Sequence, residues 1–175
     1  MKTPTPVLTP PRAHADSTAC TEAELEAKPM PEVLHQIHIL AGMDDDALQL
    51  LWERASETKV EAGAVLVREG EAGNRFFMIA KGLVRVCRHF GQPGEVELAR
   101  MGPGDFFGEM CILETLPRSA TVQAVNDTLL YSLNSLTFYH LYEAMPRQHS
   151  ILVLNIARDL SRRLRHLGDA FAASH

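Results

Sequence analysis

Three periodicities follow one another along the chain. Val33, Leu34, Ile37 and Leu40 recur at helical spacing, and the aspartates at 44–46 then place helix-starting carboxylates ahead of Ala47, Leu48, Leu51, Trp52 and Ala55. Two short amphipathic helices are predicted there. From 63 to 108 the period shortens. Nine of the eleven glycines punctuate short segments rich in Val, Phe and Ile, at 64–68, 75–80, 82–89 and 95–101. These read as strands joined by tight turns, the clearest being Gly91-Gln92-Pro93-Gly94, where proline fixes one backbone angle and glycine accepts positive φ. Two more strands, 120–125 and 128–133, follow an interruption around 104–118.

After Asn134 the helical period returns, with Leu136, Tyr139, Leu141 and Tyr142 ahead of a break at Pro146. On a helical wheel of 148–167, Val153, Ile156, Ala157, Leu160, Leu164 and Leu167 form one apolar stripe, with Arg158, Arg162 and Arg165 opposite. The predicted fold class is mainly β with flanking helices. It is an antiparallel β-roll of the jelly-roll (double-stranded β-helix) kind, because short strands at this density need two packed faces to bury one core.

Length and composition add bounds. A chain of 175 residues, 46% hydrophobic and 22% charged, suits one globular domain. No apolar run approaches the roughly 20 residues of a membrane-spanning helix. The start, Met1-Lys2-Thr3-Pro4-Thr5-Pro6, lacks the apolar stretch of a secretory signal, so a cytoplasmic location and no membrane partner are expected. Six of the ten prolines and few large apolar residues fall in 1–31, which reads as a disordered Pro-rich tail. The folded domain is placed at 32–168, with its roll at 59–133 and a lid or dimer helix at 147–167, and 169–175 forms a short second tail. The net charge of −5 argues against chain-wide attraction to nucleic acid.

The interruption carries the chemistry: Gly104-Asp105-Phe106-Phe107-Gly108-Glu109-Met110-Cys111-Ile112-Leu113-Glu114-Thr115-Leu116-Pro117-Arg118-Ser119-Ala120. A one-turn helix inserted between strands leaves unpaired N–H groups that favour an anion. Gly108 permits close backbone approach, and Arg118 supplies a planar, permanently charged fork suited to phosphate. Glu109 would repel a phosphate, but it suits a ligand that also presents hydroxyl donors, as a ribose does. An anion with a sugar hydroxyl beside it implies a nucleotide.

Phe107-Gly108-Glu109 followed by Pro117-Arg118-Ser119-Ala120-Thr121, with nine residues from Glu109 to Arg118, resembles the phosphate-binding cassette of the cyclic nucleotide-binding domain family. That module is shared by catabolite-activator-type regulators, kinase regulatory subunits and gated channels. Glu69-Gly70-Glu71-Ala72-Gly73-Asn74 with Phe76-Phe77-Met78-Ile79 resembles the family's earlier hairpins. The resemblance implies that cAMP or cGMP is the ligand. Glu109 would accept from the ribose 2'-hydroxyl beside Gly108, and Arg118 would meet an exocyclic phosphate oxygen. Backbone groups of Met110, Cys111, Ser119 and Ala120 would complete the cradle. It implies also that the last helix swings over the purine, with Arg163 a contact for the base. Output would pass to an effector protein or through a homodimer formed by that helix.

Other chemistries find less support. His35 and His38 lack a third ligand, and 44–46 lacks the glycine and spaced acids of a calcium loop, so no metal is expected. A cupin-type metal site needs several strand histidines, whereas 64–133 contains only His89. Hydrolase, metalloprotease and P-loop signatures are absent from the sequence, so no enzyme and no cofactor are expected. Cys20, Cys87 and Cys111 read as reduced thiols and do not resemble the cysteine set of an iron-sulfur sensor. No helix-turn-helix pattern follows the long helix, so direct DNA binding is not expected. Control of transcription through a partner, or a scaffold with a degenerate pocket, are the alternatives.

Overall fold

The computed structural model describes residues 30–114 and 116–173. All of the predicted first tail except Met30 and Pro31 lies outside the described residues.

Among the described residues, eight strands form two four-stranded antiparallel sheets facing each other. One sheet, in the order β1-β8-β3-β6, uses β1 (Ser56–Val60), β8 (Thr128–Asn134), β3 (Arg75–Lys81) and β6 (Phe106–Phe107). The other, β2-β7-β4-β5, uses β2 (Val65–Val67), β7 (Thr121–Ala124), β4 (Val84–Arg88) and β5 (Val96–Met101). This is the expected roll. Its first strand, β1, escaped the sequence reading because Ser-Glu-Thr-Lys-Val is almost wholly exposed and offers no apolar face; its register against β8, Glu57 opposite Tyr131, is set by the partner.

Two adjacent phenylalanine pairs divide the core. Side chains alternate across a strand, so Phe76 and Phe106 turn toward the helical layer while Phe77 and Phe107 turn into the roll. Phe77 and Phe107 stack with centroids 5.0 Å apart, directly paired between β3 and β6. The roll core gathers Val67, Ile79, Val84, Val122 and Leu130 around them. The helical core packs Leu34, Trp52, Phe138, Leu141, Leu152 and Ile156 on the other face of the first sheet.

The helix predicted near 33–40 is replaced by two 3-10 turns, Glu32–Gln36 and His38–Leu40. Ile37 between them is extended, and the His38 amide donates to Gly104 O at 3.1 Å, which takes the backbone out of the helical ladder. Helix α1 (Asp45–Glu53) starts as expected, with the Asp44 carboxylate accepting from the Ala47 amide at 2.9 Å. Helix α2 (Met110–Leu113) is the one-turn insertion, and α3 (Ser135–Ala144) is capped by Asn134.

The last helix, α4, runs over Pro146–Ala173. Pro146 occupies the first helical position, where its missing N–H removes nothing. Gly168 does not stop the helix, so residues 169–173 belong to it rather than to a second tail; 174 and 175 lie outside the described residues. Asn155 ties α4 down by donating to Ile39 O at 2.9 Å and Ala41 O at 2.8 Å. Leu152 and Ile156 are buried on the helical core, whereas Leu164 and Leu167 remain 71% and 52% exposed, so the predicted apolar stripe packs only along its first half. Among the described residues no helix is long and apolar enough to cross a membrane.

Candidate functional site

The site is built where β6 leaves the roll. Gly108 follows β6 with φ +85°, a left-handed conformation that glycine adopts without a Cβ penalty. That turn carries Glu109 inward, so its side chain is 6% exposed despite its charge. Met110 and Cys111 then begin α2; the Cys111 side chain lies outside the described ones.

Arg118 returns from the far side of α2 and is locked to the segment between β2 and β3. Its amide donates to Glu71 O and its carbonyl accepts from the Gly70 amide, both at 2.8 Å. The guanidinium donates to Arg75 O at 2.8 Å and Gly108 O at 3.3 Å, and lies over the Phe77 ring, 5.8 Å from its centroid. It is 7% exposed, yet among the described residues no carboxylate pairs with it. Glu109, the acid nearest in role, pairs elsewhere. A buried cation held by neutral carbonyls and a ring face, with no carboxylate in direct contact among the described residues, is short of the close counter-charge that burial ordinarily demands. An anion entering beside Arg118 supplies it.

Glu109 faces α4. Arg163 Nη1 stands 3.7 Å from Glu109 Oε1, while its Nε contacts the Asp159 carboxylate one turn earlier. Arg163 also donates to Phe106 O at 2.8 Å and lies over the Phe106 ring at 4.7 Å. Burial pushes the Glu109 carboxyl above the usual carboxylate range; the Arg163 charge opposes that rise without cancelling it.

These groups line a cavity of about 730 Å³ between the roll, α2 and α4. Gly108, Glu109, Met110, Arg118, Ser119 and Ala120 all reach it, so the structure collects those six residues on one wall. Val67, Val86 and Phe107 supply the apolar floor, and Leu160, Leu164 and Leu167 stand over the mouth. The volume is ample for one mononucleotide, within the usual range of about 300–1,000 Å³ for ligand pockets. Arg163, expected beside the base, instead contacts Glu109, the expected ribose acceptor. Sequence reasoning missed Gly73, whose hydrogen faces the Arg118 guanidinium, and Asp159, whose four-residue spacing to Arg163 is a readable helical ion-pair signal.

A sequence profile for the cyclic nucleotide-binding domain matches residues 57–145, from β1 to the end of α3. The chain belongs to the cyclic nucleotide-binding domain family. It is 46% identical over 87 residues to the cyclic nucleotide-gated potassium channel mll3241 of Mesorhizobium japonicum, covering 50% of this chain and 22% of that one. It is 39% identical over 104 residues to the cyclic AMP receptor protein of Thermus thermophilus, 59% of this chain and 46% of that one. The chain thus spans less than half the length of these relatives. Among solved structures, a cyclic nucleotide-binding domain from Methylobacillus flagellatus superposes with TM-score 0.73 at 23% identity, covering 83% of this chain and 82% of that one, which establishes the shared fold. The Thermus thermophilus catabolite activator protein superposes with TM-score 0.65 at 30% identity over 77% of this chain and 62% of that one. The profile match ends before α4, the helix that carries Asp159 and Arg163.

Proposed function

We propose that this chain is a cyclic nucleotide sensor module that binds cAMP in preference to cGMP and acts by binding rather than by catalysis. The observation that carries the reading is Arg118, a buried guanidinium without a carboxylate, in the same cavity as the buried acceptor Glu109. A cyclic phosphate meets the first and a ribose 2'-hydroxyl the second, with backbone of Met110, Cys111, Ser119 and Ala120 completing the cradle. The preference for cAMP draws on relatives such as the cyclic AMP receptor protein of Thermus thermophilus and a cAMP-dependent protein kinase regulatory subunit of Blastocladiella emersonii.

The signal leaves through α4. A ribose hydroxyl at Glu109 competes with Arg163 for the same carboxylate, so binding loosens the contact that holds the second half of α4 to the cassette. The exposed Leu164 and Leu167 are then free to close on the base or to meet a second copy or an effector protein. The module works in the cytoplasm and needs neither metal nor direct DNA contact.

Calorimetric titration of the full chain with cAMP and cGMP tests this. Micromolar binding of cAMP, tighter than that of cGMP, is expected. Binding of neither below millimolar concentration overturns the sensor reading in favour of a degenerate scaffold.

A further inference from the structure

Each nitrogen of the Arg163 guanidinium faces a different partner. Nε lies 2.5 Å from Asp159 Oδ2 one turn earlier on α4, Nη2 donates to Phe106 O at 2.8 Å, and Nη1 stands 3.7 Å from Glu109 Oε1. The first two are contact distances, and the third is beyond hydrogen-bond reach. A guanidinium is a rigid planar fork, so its corners cannot be adjusted one at a time. With Nε on Asp159 and Nη2 on the β6 carbonyl, Nη1 cannot close on Glu109 unless the fork leaves one of them. The Phe106 ring beneath it, 4.7 Å from Cζ to the centroid, restricts the fork further.

Asp159 depends on this arrangement as much as the arginine does. Its side chain is 15% exposed, and Oδ2 is buried without a well-directed hydrogen bond among the described residues, so the Arg163 charge is what offsets its burial. The four-residue spacing, acid first, is the order a helix favours. Two carboxylates therefore share one guanidinium, and all three groups line the nucleotide cavity. The sharing is unequal, because Arg163 lies nearer Asp159. The two α4 residues also act on Glu109 in opposite directions: burial and the Asp159 charge push its carboxyl up, while the Arg163 and Arg118 charges push it down.

We propose that Asp159 is a positioning residue for the nucleotide site: by holding the Arg163 fork on α4 it keeps Nη1 off Glu109 and leaves that carboxylate open to a ribose hydroxyl, a role that rests on the proposed sensor function. Without the Asp159 charge, Glu109 is the one carboxylate within reach of Arg163 among the described residues, and the fork turns toward it. The ribose hydroxyl must then displace a closer, charge-assisted pair. Asp159 thus favours binding of an anion although it is itself an acid. Its direct effect has the opposite sign, since removing a negative charge from the wall of an anion site strengthens anion binding. The two effects separate once Arg163 is removed.

The test is a double-mutant cycle of D159N and R163Q in the full chain, read in two ways. In calorimetric titration with cAMP, D159N alone is expected to weaken binding about three- to thirtyfold, and to leave it within about twofold or strengthen it when R163Q is already present. D159E, which keeps the charge, should bind within about threefold of wild type. A loss of the same size in both backgrounds, no loss in either, or a D159E protein as weak as D159N overturns the proposal. The second reading is a carbon-13 titration of the Glu109 carboxyl without nucleotide. D159N is expected to lower its midpoint, and to lower it more when Arg163 is present than in the R163Q background. An equal shift in both backgrounds, or none, overturns the positioning role. A wild-type chain that binds no cAMP overturns the sensor function by itself, and the Glu109 titration then still decides whether Asp159 holds Arg163 away from that carboxylate.

Discussion

Arg163 of α4 and Glu109 at the entrance to α2 face each other across the cavity, Nη1 to Oε1 at 3.7 Å. The arginine is shared: it also contacts Asp159 and donates to Phe106 O at 2.8 Å. One side chain thereby fastens the long helix to both the strand before the cassette and the carboxylate within it.

Replacing Arg163 by glutamine is expected to destabilise the ligand-free protein by about 1–3 kcal/mol, the usual consequence of leaving buried polar groups without their charged donor. Hydrogen exchange should quicken from residue 157 onward while the half of α4 anchored by Asn155 stays protected. Chemical denaturation and exchange measured on the same variant check this. Unchanged stability with unchanged exchange would show that the contact does not hold the helix.

Glu109 gives a pH signature whose sign follows from its environment. Burial raises its folded carboxyl above the unfolded value, so the native state holds the proton more tightly. Stability is then fully present below the unfolded pKa and is lost as pH rises through the folded one. Glu109→Gln mimics the protonated form. It is expected to match wild type near pH 4 and to exceed it in thermal midpoint at neutral pH, while binding cAMP more weakly because a neutral amide oxygen is a poorer acceptor for the ribose hydroxyl. Melting curves across pH 4 to 8 decide the matter; a variant less stable than wild type at neutral pH contradicts the sign.

Arg118→Ala removes what is, among the described residues, the only buried cation. A charge-assisted hydrogen bond contributes about 1.5–3 kcal/mol, equivalent to roughly a ten- to hundredfold change in affinity. Calorimetry should show at least that loss for cAMP. Arg118→Lys keeps the charge but not the fork, so it should recover only part of the affinity. Wild-type affinity in the alanine variant would remove Arg118 from the binding site.

The legibility of these features followed their locality. Gly108, Glu109 and Arg118 sit in one short stretch whose residue types announce their chemistry, and the structure gathers them on one cavity wall. The core strands were readable because Phe76-Phe77 and their neighbours present apolar residues to both faces. β1 was hidden, since its exposed polar residues owe their conformation to pairing with β8. The Val33 to Leu40 spacing fitted a helix, but a long-range bond from His38 to Gly104 selected 3-10 turns. Arg163 was identified as relevant, yet its target was not, because the choice between base and carboxylate is made by how α4 crosses the cassette, which no local pattern encodes.

Gly73 separates binding from folding. Its backbone is not left-handed, and the three atoms nearest a Cβ there all belong to the Arg118 guanidinium, Nε closest, then Cζ at 2.5 Å and Nη2 at 2.7 Å. That group is the far end of a flexible side chain, so it can swing away without moving the backbone. Gly73→Ala is expected to lose the hydrogen bonds to Arg75 O and Gly108 O, at about 0.5–1.5 kcal/mol each, and to keep a cooperative fold. Its affinity for cAMP should fall at least tenfold, because the guanidinium no longer points into the cradle. Gly108→Ala differs in kind: its φ is +85°, and a Cβ would stand 2.9 Å from Arg75 O, a backbone atom within β3 that cannot yield. That variant should lose stability and binding together. Thermal denaturation paired with cAMP titration on both variants distinguishes them. A Gly73→Ala protein that binds cAMP like wild type would mean that the position of the Arg118 guanidinium seen here is not the one that receives the phosphate.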